Sequence, residues 1–250
     1  MNPPFAAYLR AHLCLCILSV LSVAAHGQDR TQPATTKAQV TNFHVGAVPI
    51  AIPSPTNGLV EPGPDYRVLF EPLVPASNRL VAAFVPLDKM DVIHRGNAPS
   101  MDEYALVEVA RRTEFTEIDS ATFQQIAEVL GKQFGGDISQ FSKTAQDEIE
   151  RNLKAQGKSV SVTIDKPVPL GIFFVKKDAI GGGSITPYNV NGVTTRMAGC
   201  LTVLRVRGRI LSLFSYALYK DEGTIIRVKT TAEQWTDAIL KANEGPQGAS

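Results

Sequence analysis

The chain has 250 residues, 25 Lys+Arg against 24 Asp+Glu, and 44% hydrophobic residues, a composition that supports one sizeable core. It carries no Lys/Arg run, so the electrostatic footprint of a nucleic-acid binder is missing. Three cysteines, two of them within the first sixteen residues, exclude a disulfide framework.

The first residues divide into a short segment with Arg10, an apolar core from Leu13 to Ala25 and a small-residue exit at Ala25-His26-Gly27. This pattern predicts a secretory signal peptide over residues 1–27, cleaved after Gly27. The apolar core is shorter than the ~20 residues a membrane-crossing helix needs, and Cys14 and Cys16 lie inside it rather than at the cleavage point, so no lipid anchor is implied. Contact with a membrane is expected only if the signal stays uncleaved. Cleavage would leave 223 residues with 24 basic and 24 acidic side chains, because Arg10 is the one charged residue removed. The expected location is the periplasm or the exterior of the cell.

Residues 28–42, rich in Gln, Thr, Ala and Pro, read as a flexible leader, 43–243 as a single globular domain and 244–250 as a tail. From Phe43, Val45, Val48, Ile50 and Ile52 predict an opening strand that ends at Pro53-Ser-Pro55 and the turn Asn57-Gly58. Tyr66 to Phe70 predicts a short edge strand, and Arg79 to Val85, apolar on both sides of the pleat, a central strand covered on both faces. A polar stretch from Asp88 to Asp102 follows, then a strand from Tyr104 to Ala110.

Helical spacing begins after Asp119-Ser120, where either residue can cap, with Phe123, Ile126, Ala127, Leu130 and Phe134 on one face. A second helix, from about Ser139 to Gln156, carries Phe141, Ala145, Ile149 and Leu153, and Gly157 ends it. Val160, Val162 and Ile164 alternate as a half-buried strand, and Gly171 to Val175 is a denser apolar run. Asp178 to Val193, with its glycines, Pro187 and Asn191-Gly192, reads as a loop. Strands from Cys200 to Val206 and from Ile210 to Tyr219 flank Arg207-Gly208-Arg209, and a further strand spans Thr224 to Val228. The final helix takes its capping box from Thr230 and Glu233, with Ala232, Trp235, Ala238, Ile239 and Ala242 on its inner face. The predicted class is α+β: a mostly antiparallel sheet flanked by helices, an α/β/α sandwich, in one domain.

The chemistry that these residues can support is narrow. Cys200, within Gly199-Cys-Leu-Thr-Val-Leu, reads as a small buried hydrophobe. Gly181-Gly-Gly-Ser184 lacks the Gly-Lys-Ser/Thr ending of a phosphate loop and reads as a hairpin loop, and Ser184 lacks the second glycine of an esterase elbow, since position 186 is Thr. Glu114, Glu117 and Asp119 are explained by helix capping and the helix dipole, with Arg111 and Arg112 as local ion-pair partners. No metal and no cofactor are expected.

Two constellations remain. Arg205 and Arg207, two apart on one strand, are expected to share a face, with Arg209 beyond the turn and Arg196 ahead of the strand; such donors suit a small anionic ligand or an acidic partner from the cell envelope. Asp91, His94 and Asp102 form the alternative site, in a loop where a weak hydrolytic centre would lie.

An opening strand ending in Ile-Pro-Ser-Pro55, a helical middle, closing antiparallel strands and a last amphipathic helix together resemble the PsbP-like α/β/α sandwich, from about Phe43 to Asn243. The resemblance is one of architecture and carries no functional residue across. It implies a binding or assembly factor rather than an enzyme. The expected function is an exported, non-catalytic binding or assembly factor of the bacterial cell envelope. The alternatives are a secreted or periplasmic hydrolase with its site in the 89–102 loop and an envelope protein tethered by an uncleaved N-terminus.

Overall fold

The computed structural model describes residues 40–55, 58–95, 101–134, 136, 139–155 and 161–244. The expected signal peptide, most of the leader, Gly157, Val160 and the last six residues lie outside them, as do the side chains of Phe141 and Leu153.

The chain is an α+β protein built on one antiparallel sheet. Strands β1 (Val40–Val45) and β2 (Val48–Pro53) form a separate hairpin, so the apolar run after Phe43 is two strands rather than one. The reversal sits at Gly46, whose φ of 57° is open to glycine at no steric cost. β1 starts at Val40, three residues inside the segment read as leader. The main sheet runs β3 (Leu59–Val60), β4 (Asn78–Pro86), β5 (Glu103–Ala110), β10 (Arg209–Leu218), β9 (Val193–Val206) and β8 (Ala179–Val190). The outer side of β8 is shared by β6 (Val162–Ile164) and β7 (Val168–Lys176).

β4 and β5 are buried along nearly their whole length, as their two-sided apolar pattern requires. Side chains alternate along β5: Tyr104, Leu106 and Ala110 enter one hydrophobic cluster, and Ala105, Val107 and Val109 the other. The first cluster takes in Phe123, Ile126, Leu130 and Phe134 of helix α2 (Ser120–Phe134) and Ile149 of α3 (Ser139–Ala155). The second takes in Val228, Ala232, Trp235 and Ile239 of α4 (Glu222–Ala242), together with the β1–β2 hairpin. A short helix, α1 (Met90–His94), follows β4.

Three further expectations fail, each for a physical reason. Tyr66 to Phe70 is not a strand: Pro64–Leu69 forms a 3-10 helix entered through Pro64, whose ring presets φ. Thr224 to Val228 is the start of α4, not a strand. The cap is Asp221, whose Oδ1 accepts from the Thr224 amide at 3.1 Å, so the Thr230–Glu233 pair lies inside a helix already begun. β-branched residues predict a strand there, but Thr224, Val228, Ala232 and Ile239 recur on the buried face of a helix, and burial overrides propensity.

The third correction concerns the glycine loop. Asp178 opens a turn, but Ala179–Val190 is an ordered strand paired on both sides. Gly181, Gly182 and Gly183 lack side chains because aromatic rings occupy that space. A Cβ on Gly181 would fall 2.6 Å from the Phe174 ring, while Cβ atoms on Gly182 and Gly183 would run into Phe134 and Phe173. Bulges in β7 put Phe173 and Phe174, adjacent in sequence, against the same hydrophobic cluster. The glycines are therefore a packing surface for rings.

Candidate functional site

The arginines at the β9–β10 turn are positioned by two residues with left-handed backbone, Arg207 (φ 48°) and Gly208 (φ 72°), which make the tight connection that antiparallel strands favour. That turn also separates the side chains expected to share a face. Arg205 lies in β9, where its Nε donates to Asp178 Oδ1 at 2.7 Å while its amide donates to the Asp178 carbonyl at 2.8 Å. Arg207 has left the strand, and its positive φ turns it toward the hairpin and α4: Nη1 donates to the Pro49 carbonyl at 3.1 Å and Nε to the Asn243 carbonyl at 3.4 Å.

The expected anion fork is thus corrected. Arg205 ties the β7–β8 turn to β9, and Arg207 ties β2 to the end of α4. Arg209 Nε is buried without a hydrogen-bond partner among the described residues. Arg196 is exposed and lies nine residues before Arg205, about 30 Å away at ~3.3 Å per strand residue. The four do not converge on one ligand.

The alternative set does not assemble either. Asp91 and His94 are exposed on α1, and the His94 ring lies 5.0 Å from the Tyr66 ring in a tilted contact. Asp102 is exposed before β5, where its carbonyl accepts from the Leu218 amide at 2.6 Å. No group of three His, Cys, Asp or Glu side chains among the described residues could hold a metal ion. Residues 96–100 of that loop are outside the described set.

Cys200 is buried, and burial pushes its thiol up to about 12, which keeps it protonated at neutral pH. Asp119 caps α2, accepting from the Thr122 amide at 2.7 Å. Glu114 is bound by the guanidinium of Arg79, whose Nε lies 3.1 Å from Oε1, and by the Gly46 amide at 3.2 Å. The Arg79 hydrogen bond, chiefly, holds the Glu114 carboxyl below the usual carboxylate range.

The structure gathers polar groups elsewhere, at the ends of β4 and β5 under α3. A groove of about 370 Å³ lies there. Its floor is Asn78, at the start of β4, which reaches in two directions. The Asn78 Nδ2 donates to Glu108 Oε2 at 2.7 Å, and its carbonyl accepts from Arg111 Nε at 2.8 Å. The opposite wall is Asn152 of α3, donating to the Pro72 and Val74 carbonyls at 3.2 and 3.5 Å. Arg79, Arg111 and Glu71 bring charge to the groove, and Leu80 and Val74 bring apolar surface.

Glu108 lies behind this floor and is 1% exposed. It sits in β5 between Leu80 of β4 and Ser212 of β10. Burial pushes its carboxyl up to about 7, against the lowering effect of the Asn78 hydrogen bond. Glu108 Oε1 and Ser212 Oγ are both buried without a partner among the described residues. A buried half-satisfied carboxyl is costly to hold, so its pairing with the groove's floor is a constraint on Asn78. The sequence signal for this site is a lone carboxylate inside Tyr104-Ala-Leu-Val-Glu-Val-Ala110, where every other residue is apolar.

No family model matches this chain, and no curated protein matches it. Among solved structures it is similar to the Saccharomyces cerevisiae Ran-binding protein Mog1p, at 8% identity over 82% of this chain and 95% of that one, with a TM-score of 0.32. A point mutant of the protein Mog1 matches at 9% identity, over 82% and 94% of the two chains, also with a TM-score of 0.32. Likeness at this level does not place the chain in a family.

Proposed function

We propose that the chain is an exported, non-catalytic binding or assembly factor of the bacterial cell envelope, with a PsbP-like α/β/α layering and a contact site in the groove over Asn78. The observation that carries the binding half is the groove itself. It sets two guanidiniums, a carboxylate and two side-chain amides around a space of about 370 Å³, within the range of small-ligand sites. The export half rests on the N-terminal charge, apolar core and small-residue exit. No described helix is long and apolar enough to cross a membrane.

Fractionation of a Gram-negative host expressing the full chain tests export. The expected result is a periplasmic protein whose intact mass begins at Gln28. An unprocessed chain left in the cytoplasm overturns the export reading, and an unprocessed chain in the membrane fraction favours the tethered form. A hydrolytic activity that His94→Ala abolished would overturn the non-catalytic reading in favour of the 89–102 loop.

A further inference from the structure

We infer that the groove over Asn78 binds a small zwitterion with an aliphatic body, of the class of free α-amino acids; this rests on the binding reading above and names its ligand. Four charged groups stand at or beside the groove. Arg79 and Glu114 are paired with each other and make no demand on a ligand. Arg111 has its Nε donating to the Asn78 carbonyl at 2.8 Å, which orients the guanidinium while its Nη groups donate to no described residue. Glu71, on the same groove, makes no side-chain ion pair or hydrogen bond with a described residue.

The sum of these charges is zero, so neither a polyanion nor a simple cation is favoured. A ligand that carries its own separated charges meets both free ends. Its carboxylate takes the two Nη groups of Arg111, a geometry that a planar guanidinium provides and a lysine does not. Its ammonium takes Glu71. Leu80 and Val74, both nearly buried, border the same space and suit an aliphatic side chain rather than a polar one. Glu108 acts as a positioning residue: it holds the Asn78 amide, and Asn78 in turn holds Arg111.

Titration calorimetry of the mature chain with L-leucine, N-acetyl-leucine and leucinamide tests the inference. Saturable binding of L-leucine is expected, with affinity at least about tenfold lower for each blocked derivative. Arg111→Gln should abolish the preference for a free carboxylate, and Glu71→Gln should let N-acetyl-leucine bind as well as L-leucine. Both residues are exposed, and an unchanged melting temperature verifies that the variants fold. Absence of heat for all three compounds up to about 10 mM, well above a millimolar Kd, overturns the inference. So does L-leucine binding that neither substitution alters. A periplasmic chain that ignores amino acids removes the ligand and leaves the export reading standing; a cytoplasmic chain that binds them does the reverse.

Discussion

The β9–β10 turn and the groove over Asn78 both present guanidinium groups, and they use them in opposite ways. Arg205 spends its Nε on Asp178, and Arg207 its donors on the Pro49 and Asn243 carbonyls, so both close distant parts of the fold onto one another. Arg111 is fixed by a single bond from Nε and keeps its two Nη groups available. Arg205 and Arg207 are thus consumed by the fold, whereas Arg111 stands just past a strand end with its Nε held by a backbone carbonyl.

The same contrast separates the two faces of the sheet. Against α4, Trp235 is completely buried, donates from Nε1 to the Pro53 carbonyl at 2.7 Å and meets the Phe84 ring edge-on at 5.4 Å. Asn243 completes this face by bonding both polar groups of Ala51, at 2.9 Å from the amide and 2.7 Å to the carbonyl. Against α3, the sheet presents Glu108 and Ser212, each with a buried atom left unpaired. Among the described residues an unpaired buried hydroxyl also occurs on the α4 side, at Ser215 opposite Ala105, so what sets the α3 side apart is the buried carboxyl of Glu108 beside the groove.

The largest expected effect lies on the first face. Trp235→Ala should lose roughly 3–5 kcal/mol of unfolding free energy, by removing a buried ring and orphaning the Pro53 carbonyl. Chemical denaturation measures it, and a loss below about 1 kcal/mol would show that α4 is not docked as described.

An intermediate effect is expected at Glu108, where its sign depends on pH. The folded-state carboxyl is raised from 4.5 to about 7, so below pH 4.5 both folded and unfolded forms are protonated and the group is neutral to stability. Between pH 4.5 and 7 the unfolded form ionises first, and stability falls as pH rises, by about 3 kcal/mol in all. Glu108→Gln should flatten that slope in melts taken across the range and melt higher than the parent at pH 8. An unchanged slope would place the titration elsewhere.

The smallest effect is expected at the turn. The Arg205–Asp178 pair is about one-fifth exposed on each side, and Arg205→Gln should lower stability by about 1 kcal/mol without changing ligand affinity. A loss of affinity there, with the fold intact, would return the arginine-edged turn to the list of binding surfaces.

Much of the fold is legible in periodicity. The two-sided apolar pattern of Arg79–Val85 and the stripe from Phe123 to Phe134 lead directly to β4 and α2. The failures have particular causes. Gly181-Gly-Gly183 looks like a loop because the rings that fill the glycine space, Phe134, Phe173 and Phe174, come from other elements. Thr224–Val228 looks like a strand because side-chain branching is local, while the burial that makes it helical is not. The groove is the least legible part, since Glu71, Asn78, Arg111 and Asn152 come from four separate elements that only the folded chain brings together. What the sequence does show of it is the single carboxylate in β5.

Amide chemical-shift mapping during titration with L-leucine tests the location of binding most directly. Perturbations concentrated at Asn78, Arg111 and Asn152 are the predicted result. Perturbations concentrated at Arg205 to Arg209, with the groove residues unmoved, would contradict it.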